Sequence, residues 1–323
     1  ALTTEGGVLC WGNNLYGGLG NGTTGEPRNM PTPVSGLDSG VQAIAIGSAH
    51  SCALLTNGVI NCWGYNGDGQ LGNGSKTNSL IPVTSIGLDV GVSAISAGTY
   101  HTCAVLTTGA LSCWGYNAYG QLGNDSFVSS STAVAVSGLE SGVSSVAANY
   151  YHTCAVTNAG VAKCWGANYY GELGDGTTLN HATPVDVVGL DGTLLAAGNT
   201  EVTEKALAIA LGGAHSCVLT GTKGVKCWGA NYAGQLGDSG SWRTIPDDVL
   251  TSCHALTLTA TGQGSTPTIT PVNSLGCLAN NFVAGEVIAV VAAPAANWQV
   301  AGWNGTISDG STALTNTIIM PDG

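Results

Sequence analysis

The sequence predicts an all-β fold: a β-propeller of repeated four-stranded blades, followed by a small C-terminal β module. Three observations carry this. Cys-Trp-Gly recurs with its cysteine at positions 10, 62, 113, 164 and 227, at intervals of 52, 51, 51 and 63 residues. A period near 50 is the mark of stacked supersecondary units that need neighbours to bury their faces. Eight of the eleven cysteines fall in pairs ten residues apart. Fifty glycines and only 8% charged residues suit many turns and few surface helices, while 44% hydrophobic content excludes a disordered chain.

The first copy, residues 1–12, is cut by the start of the sequence. Ala1-Leu2 matches Ala53-Leu54, so the position that would face Cys10 falls just before Ala1. The expectation is an N-terminally truncated propeller over residues 1–252, with Cys10 an orphan. About five units are visible.

One full period, residues 40–91, justifies the strands. Residues 41–46 alternate as a half-buried strand does, and Gly47 ends it. Residues 50–55 and 59–63 are the next two strands. Thr56-Asn57-Gly58 between them has the form of a three-residue hairpin loop with Gly at the left-handed position. In that register Leu55 faces Val59 and Cys52 faces Cys62. Directly opposed β-carbons lie about 4.5–5.5 Å apart, close to what a disulfide requires.

The pairs Cys52 with Cys62, Cys103 with Cys113, Cys154 with Cys164 and Cys217 with Cys227 therefore read as cross-strand disulfides in preference to reduced buried thiols. Zinc would want close Cys-x-x-Cys pairs or His at short spacing, and neither is present. Disulfides imply an oxidising compartment. Cys253 and Cys277 are a further candidate pair.

After each Trp-Gly comes a turn dense in Gly and Asn, such as residues 64–74, because those residues tolerate positive φ. Ile81-Pro82-Val83 then starts an edge strand. Four strands per unit is the arithmetic of a propeller blade. The last copy departs: Lys223 stands where the hairpin Gly belongs, and about twelve extra residues around 199–205 precede it. Such insertions map to exposed loops, so this one is a candidate contact loop or a neutral decoration.

Charge excludes some functions. Seven Lys and Arg stand against 19 Asp and Glu, a net charge of -12, and no basic cluster exists to neutralise phosphates. Nucleic-acid binding is not expected. No apolar run reaches the roughly 18 residues of a membrane helix.

The pattern Gly-x-x-His-Ser/Thr-Cys-Ala, then Gly, then Cys-Trp-Gly-x-Asn-x-x-Gly-Gln-Leu-Gly, resembles the regulator of chromosome condensation repeat. It is most similar to the secreted bacterial version with the extra cysteine pair. The resemblance covers about residues 1–250 and implies a β-propeller, commonly of seven blades in the parent. A kelch propeller has a similar period but lacks this pattern. Beyond it, Gly262-Gln263-Gly264-Ser265, Gly302-Trp303-Asn304-Gly305 and Met320-Pro321-Asp322 resemble the divergent internalin-type B repeat of bacterial surface proteins. Residues 253–323 are thus expected to be that module, clipped before its closing strand.

No catalytic constellation emerges, and neither a cofactor nor a metal is implied. His50, His101, His152 and His215 hold one repeat position, which points to a structural role with each imidazole bonded to backbone; His181 and His254 lie outside the pattern and read as solvated. Trp11, Trp63, Trp114, Trp165 and Trp228 read as blade-to-blade core. Loops such as Asn21-Gly22-Thr23 and Asp175-Gly176-Thr177 offer one acid at most, too few for calcium.

What varies within the frame is aromatic. The residue before each His runs Ala49, Tyr100, Tyr151, Ala214, with Tyr150 alongside. The loops after Trp-Gly carry Tyr16, Tyr65, Tyr116, Tyr119, Tyr169, Tyr170 and Tyr232. Tyr and Asn on loops of a rigid scaffold suit a binding surface; packing between neighbouring loops is the alternative. Tyr100, Tyr150, Tyr151, Tyr116, Tyr119, Tyr169 and Tyr170 are the candidate partner-binding residues.

The function expected is a non-enzymatic, extracellular or cell-surface adhesion protein whose propeller loops bind a protein or glycan. A secreted inhibitor of the β-lactamase type and an extracellular fibre component are the alternatives. Nucleotide exchange on a small GTPase, implied by the eukaryotic namesake, conflicts with disulfides.

Overall fold

A computed structural model describes residues 1–88, 91–190, 204–221, 224–237 and 240–249, together with five strands beyond them. The chain divides into two units, Ala1–Asp248 and Val249–Gly323. Among the described residues no helix is long and apolar enough to cross a membrane.

In the first unit, β1 (Leu9–Asn14) and β2 (Gly25–Pro33) form a two-stranded antiparallel sheet. Four sheets follow, each of four strands in sequence order. They are β3 (Val41–Ile46), β4 (His50–Leu55), β5 (Ile60–Gly64) and β6 (Ser79–Thr84); β7 (Val92–Ala97), β8 (His101–Leu106), β9 (Leu111–Gly115) and β10 (Ser130–Ala135); β11 (Val143–Asn149), β12 (His152–Thr157), β13 (Ala162–Gly166) and β14 (His181–Asp186); and β15 (Ala206–Leu211), β16 (His215–Thr220), β17 (Val225–Gly229) and β18 (Arg243–Asp248). These are the blades of a propeller. Successive blades pack through their first strands, β3 on β7, β7 on β11 and β11 on β15.

The hairpin register is as the turn chemistry dictates. Gly58 has φ +82°, Leu55 N–H donates to Val59 O, and Cys52 stands opposite Cys62. All four cysteine pairs are bonded, with Cα–Cα distances of 4.0–4.1 Å. Cys10 is free and half-buried. Cys277 and the insertion at 199–203 lie outside the described residues, as do the side chains of Cys253 and His254.

Each repeat tryptophan enters the core of the preceding unit. Trp165, fully buried, packs with Val105, Leu111, Leu122, Val136 and Leu139. Its indole N–H donates to Gln121 O at 2.9 Å. Trp63, Trp114 and Trp228 do the same to Gly18 O, Gln70 O and Glu172 O. The Leu-Gly glycine of the preceding unit sits against that ring: a β-carbon on Gly123 would lie 2.7 Å from Trp165 Nε1. Trp11 has no sheet before it in this chain and is 50% exposed.

In the second unit, β19 (Cys253–Ala255) pairs with β21 (Asn281–Val283). A three-stranded antiparallel sheet has the order β20 (Gly264–Thr270), β22 (Val287–Pro294), β23 (Thr315–Ile319).

Candidate binding surface

The loops after Trp-Gly are stapled from within. Asn66, wholly buried, donates from Nδ2 to Ser75 O and Thr77 O at 3.0 Å each, and its Oδ1 accepts Leu71 N–H at 2.9 Å. Asn117 bonds Ser126 O, Val128 O and Leu122 N in the same way, and Asn168 bonds Thr177 O and Leu173 N. Gln70, Gln121 and Glu172 brace the turn by accepting the N–H two residues before them. Burial raises the Glu172 carboxyl above the usual carboxylate range, while the Tyr170 and Glu172 backbone N–H bonds pull the other way. These braces pre-organise the tyrosines that the loops carry.

Backbone bonds then set those loops against the turn before each histidine. Tyr116 N–H donates to Tyr100 O at 2.9 Å, and Ala167 N–H to Tyr151 O at 2.9 Å. Asn149 reaches across to Leu211 O with its Nδ2 and accepts Tyr150 N–H with its Oδ1.

The result is a connected row of rings. Tyr119 and Tyr151 have centroids 4.8 Å apart, and Tyr150 and Tyr151 4.4 Å. Tyr116 lies 5.9 Å from Tyr151 and 6.1 Å from Tyr119. Tyr100 lies 6.2 Å from Tyr116 and 6.3 Å from Tyr151. Tyr169 extends the row beyond Tyr119 at 5.9 Å. The row continues the other way through Tyr65, 6.3 Å from Tyr100, to Tyr16, 5.0 Å further. Edge-to-face and tilted contacts of this length are attractive in their own right. Tyr150 and Tyr169 are exposed while Tyr151 is half-buried between its neighbours. Burial, then the neighbouring Tyr150 and Tyr100, pushes the Tyr151 hydroxyl up.

Of the seven candidate tyrosines, six stand in this row. Tyr170 does not; it pairs with Tyr232 at 6.1 Å. Tyr16 and Tyr65 join the row although they were outside the candidate set. So does a carboxylate: Asp68 occupies the loop position held by Tyr16, Tyr119 and Tyr170 in other units, a substitution visible on aligning the repeats.

The expectation that each repeat imidazole bonds backbone is not met at His50, His101 and His152, whose Nε2 atoms meet hydroxyls instead. His50 Nε2 lies 2.9 Å from Thr102 Oγ1, His101 Nε2 2.8 Å from Thr153 Oγ1, and His152 Nε2 3.0 Å from Ser216 Oγ. Each thus ties one blade to the next. Desolvation lowers their pKa values, to about 4 for His50 and about 3 for His101 and His152. His181 is not simply solvated either: it is half-buried, with Nε2 3.1 Å from Asp175 Oδ2. Among the described residues no group of three or more His, Cys, Asp or Glu could hold a metal.

Comparison with known proteins agrees with the fold. The RCC1-like domain family matches residues 1–312. The ultraviolet-B receptor UVR8 of Arabidopsis thaliana is 32% identical over 241 residues, 73% of this chain and 52% of the receptor. The mitochondrial RCC1 domain-containing protein RUG3 of the same plant is 33% identical over 249 residues, 74% of this chain and 53% of that protein. The chain therefore spans about half the length of these relatives. Among solved structures, human WBSCR16 superposes with a TM-score of 0.67 at 26% identity, covering 79% of this chain and 65% of that one. Prp20p of Saccharomyces cerevisiae gives 0.63 at 20% identity, covering 78% and 61%.

Proposed function

Because the chain belongs to the RCC1-like domain family, we propose that it is a protein-binding module whose working surface is the tyrosine row. The supporting observation is the Tyr119–Tyr151 contact at 4.8 Å, within a row of rings drawn from four successive units. Rigid aromatic side chains on stapled loops give large contact area for little entropy, which is what binding hot spots use. The work is contact rather than catalysis.

The finer reading is that of a secreted or cell-surface adhesion protein, of the Cys-paired bacterial kind, with the C-terminal unit an internalin-type B repeat. The four disulfides support the oxidising compartment. Propeller and C-terminal unit then serve as binding head and spacer.

The test is affinity capture by immobilised protein from the culture fluid and surface extract of the source cells, with Tyr119→Ala/Tyr151→Ala as the comparison. The expected result is loss of the captured protein at unchanged melting temperature. Undiminished capture by the variant would remove the row from the site.

A further inference from the structure

One loop along the row of rings carries a charge where other loops carry a second ring. Where the neighbouring loops carry Tyr16 and Tyr119, the second blade carries Asp68. Its surroundings are aromatic on two sides. Tyr65 folds back over the turn, its hydroxyl so close to Gly67 that a β-carbon there would collide with it. Tyr100 stands 6.3 Å from Tyr65 and 6.2 Å from Tyr116, so it links the two rings that the Asp68 charge reaches.

The Asp68 carboxylate is half-buried, yet among the described residues it accepts no hydrogen bond and forms no ion pair; only its backbone N–H is engaged, with Gln70 Oε1. Lys76, exposed, is the one cation whose charge reaches it. Burial raises the Asp68 carboxyl, and the phenols of Tyr65 and Tyr116 are pushed up first by burial and then, after Tyr119 in the case of Tyr116, by the Asp68 charge. Partly exposed and without a hydrogen-bond partner among the described residues, the carboxylate is open to accept from a ligand. Faces of electron-rich rings beside it attract the same kind of ligand that the carboxylate does. The chain as a whole carries a net charge of -12, which favours approach of a cationic partner.

We infer that Asp68, with Tyr65, Tyr100 and Tyr116, forms a subsite for a cationic side chain, and that the segment docking on the tyrosine row is a basic peptide with an arginine at this position. The inference rests on the protein-binding reading above and names the chemistry of the partner. Arginine fits better than lysine: its planar guanidinium stacks on a ring and donates to a carboxylate at the same time. The flanking row, Tyr119 and Tyr151, takes the apolar neighbours of that arginine.

The experiment uses the full chain and two fluorescein-labelled peptides. One carries arginines either side of a leucine in a Gly-Ser segment; its twin carries citrulline, which keeps the shape and loses the charge. Fluorescence anisotropy at low and at physiological salt is expected to give the arginine peptide an affinity about tenfold or more above its twin, with the gap narrowing as salt rises. Asp68→Asn, an isosteric surface change whose fold is checked by circular dichroism, is expected to bring the arginine peptide down to the level of its twin and leave the twin unchanged. Equal binding of the two peptides, a preference that survives Asp68→Asn, or binding of neither peptide overturns the inference. Capture of a neutral oligosaccharide with indifference to both peptides overturns it in favour of a glycan. If the subsite fails while Tyr119→Ala/Tyr151→Ala still abolishes protein capture, only the cationic assignment falls; if capture is indifferent to both, the tyrosine row itself is not the surface.

Discussion

His101 Nε2 and Thr153 Oγ1 meet 2.8 Å apart across two adjacent blades. Thr153 has one hydroxyl proton, and it goes to Gln121 O at 2.9 Å, a group that can only accept. His101 must therefore be the donor, protonated at Nε2. Its Nδ1 is then bare, and it is buried without a partner, as is that of His50. It faces Gly98, where a β-carbon would lie 2.7 Å from Nδ1. There is room for a neutral imidazole and for nothing that would solvate a second proton.

Acid is predicted to loosen the blades. The folded-state pKa values of His50, His101 and His152, about 4, 3 and 3, lie below the 6.5 of an unperturbed histidine. The unfolded chain takes up protons first as pH falls, so this stability is fully present above about pH 6.5 and is lost progressively toward pH 4 and 3. For His50 alone the loss by pH 4 is on the order of 3 kcal/mol. Thermal melts at pH 7, 5 and 4 are expected to show a falling midpoint. His101→Gln, which keeps a donor but cannot titrate, is expected to flatten that fall; an unchanged slope would remove His101 from the effect.

The disulfides are predicted to act one blade at a time. Cys103→Ala/Cys113→Ala opens a loop of separation 10 in one sheet and leaves the others closed. The chain-entropy estimate is about 3 kcal/mol per bridge. Urea unfolding with and without reductant measures it: reductant should cost the wild type more than it costs the double variant.

Two tryptophans at the same repeat position are predicted to behave differently. Trp165→Ala empties a site inside the preceding blade and leaves Gln121 O one donor short, a cost of about 3–5 kcal/mol. Trp11→Ala removes a ring that is already 50% exposed and is expected to cost under about 1 kcal/mol. Chemical denaturation of the two variants reads the difference.

Asn117→Ala is predicted to free a loop without unfolding its blade. The change strands the buried Leu122 N–H and removes the donor to two half-buried carbonyls, at about 1–3 kcal/mol. Hydrogen exchange should accelerate over residues 116–128 while β8 and β9 stay protected. By contrast Lys163→Ala, which breaks an exposed pair with Asp186 at 2.6 Å, is expected to cost within about 1 kcal/mol.

Part of this molecule was legible before its structure. The strands, their order within a blade and the opposition of Cys52 to Cys62 follow from a three-residue loop with Gly58 at its turn. All of these are relations between residues close in the chain, where hydrogen-bond geometry leaves few choices. The repeat itself reported that Trp165 and its equivalents are core, because every blade has the same gap to fill.

What the tertiary structure alone decided are the distances between rows. Tyr100 and Tyr151 are known from the sequence to share a repeat position, but only the stacking of one sheet on the next puts their rings 6.3 Å apart. The same holds for His101 and Thr153, read singly as a turn residue and a strand residue, and joined only where two blades meet. It holds for Asp68 too, which the sequence marks as an exception among tyrosines without saying which rings surround it. Local rules fix each blade because each backbone bond closes over a few residues. The proposed binding surface is made between blades, where side chains some fifty residues apart are brought together by packing.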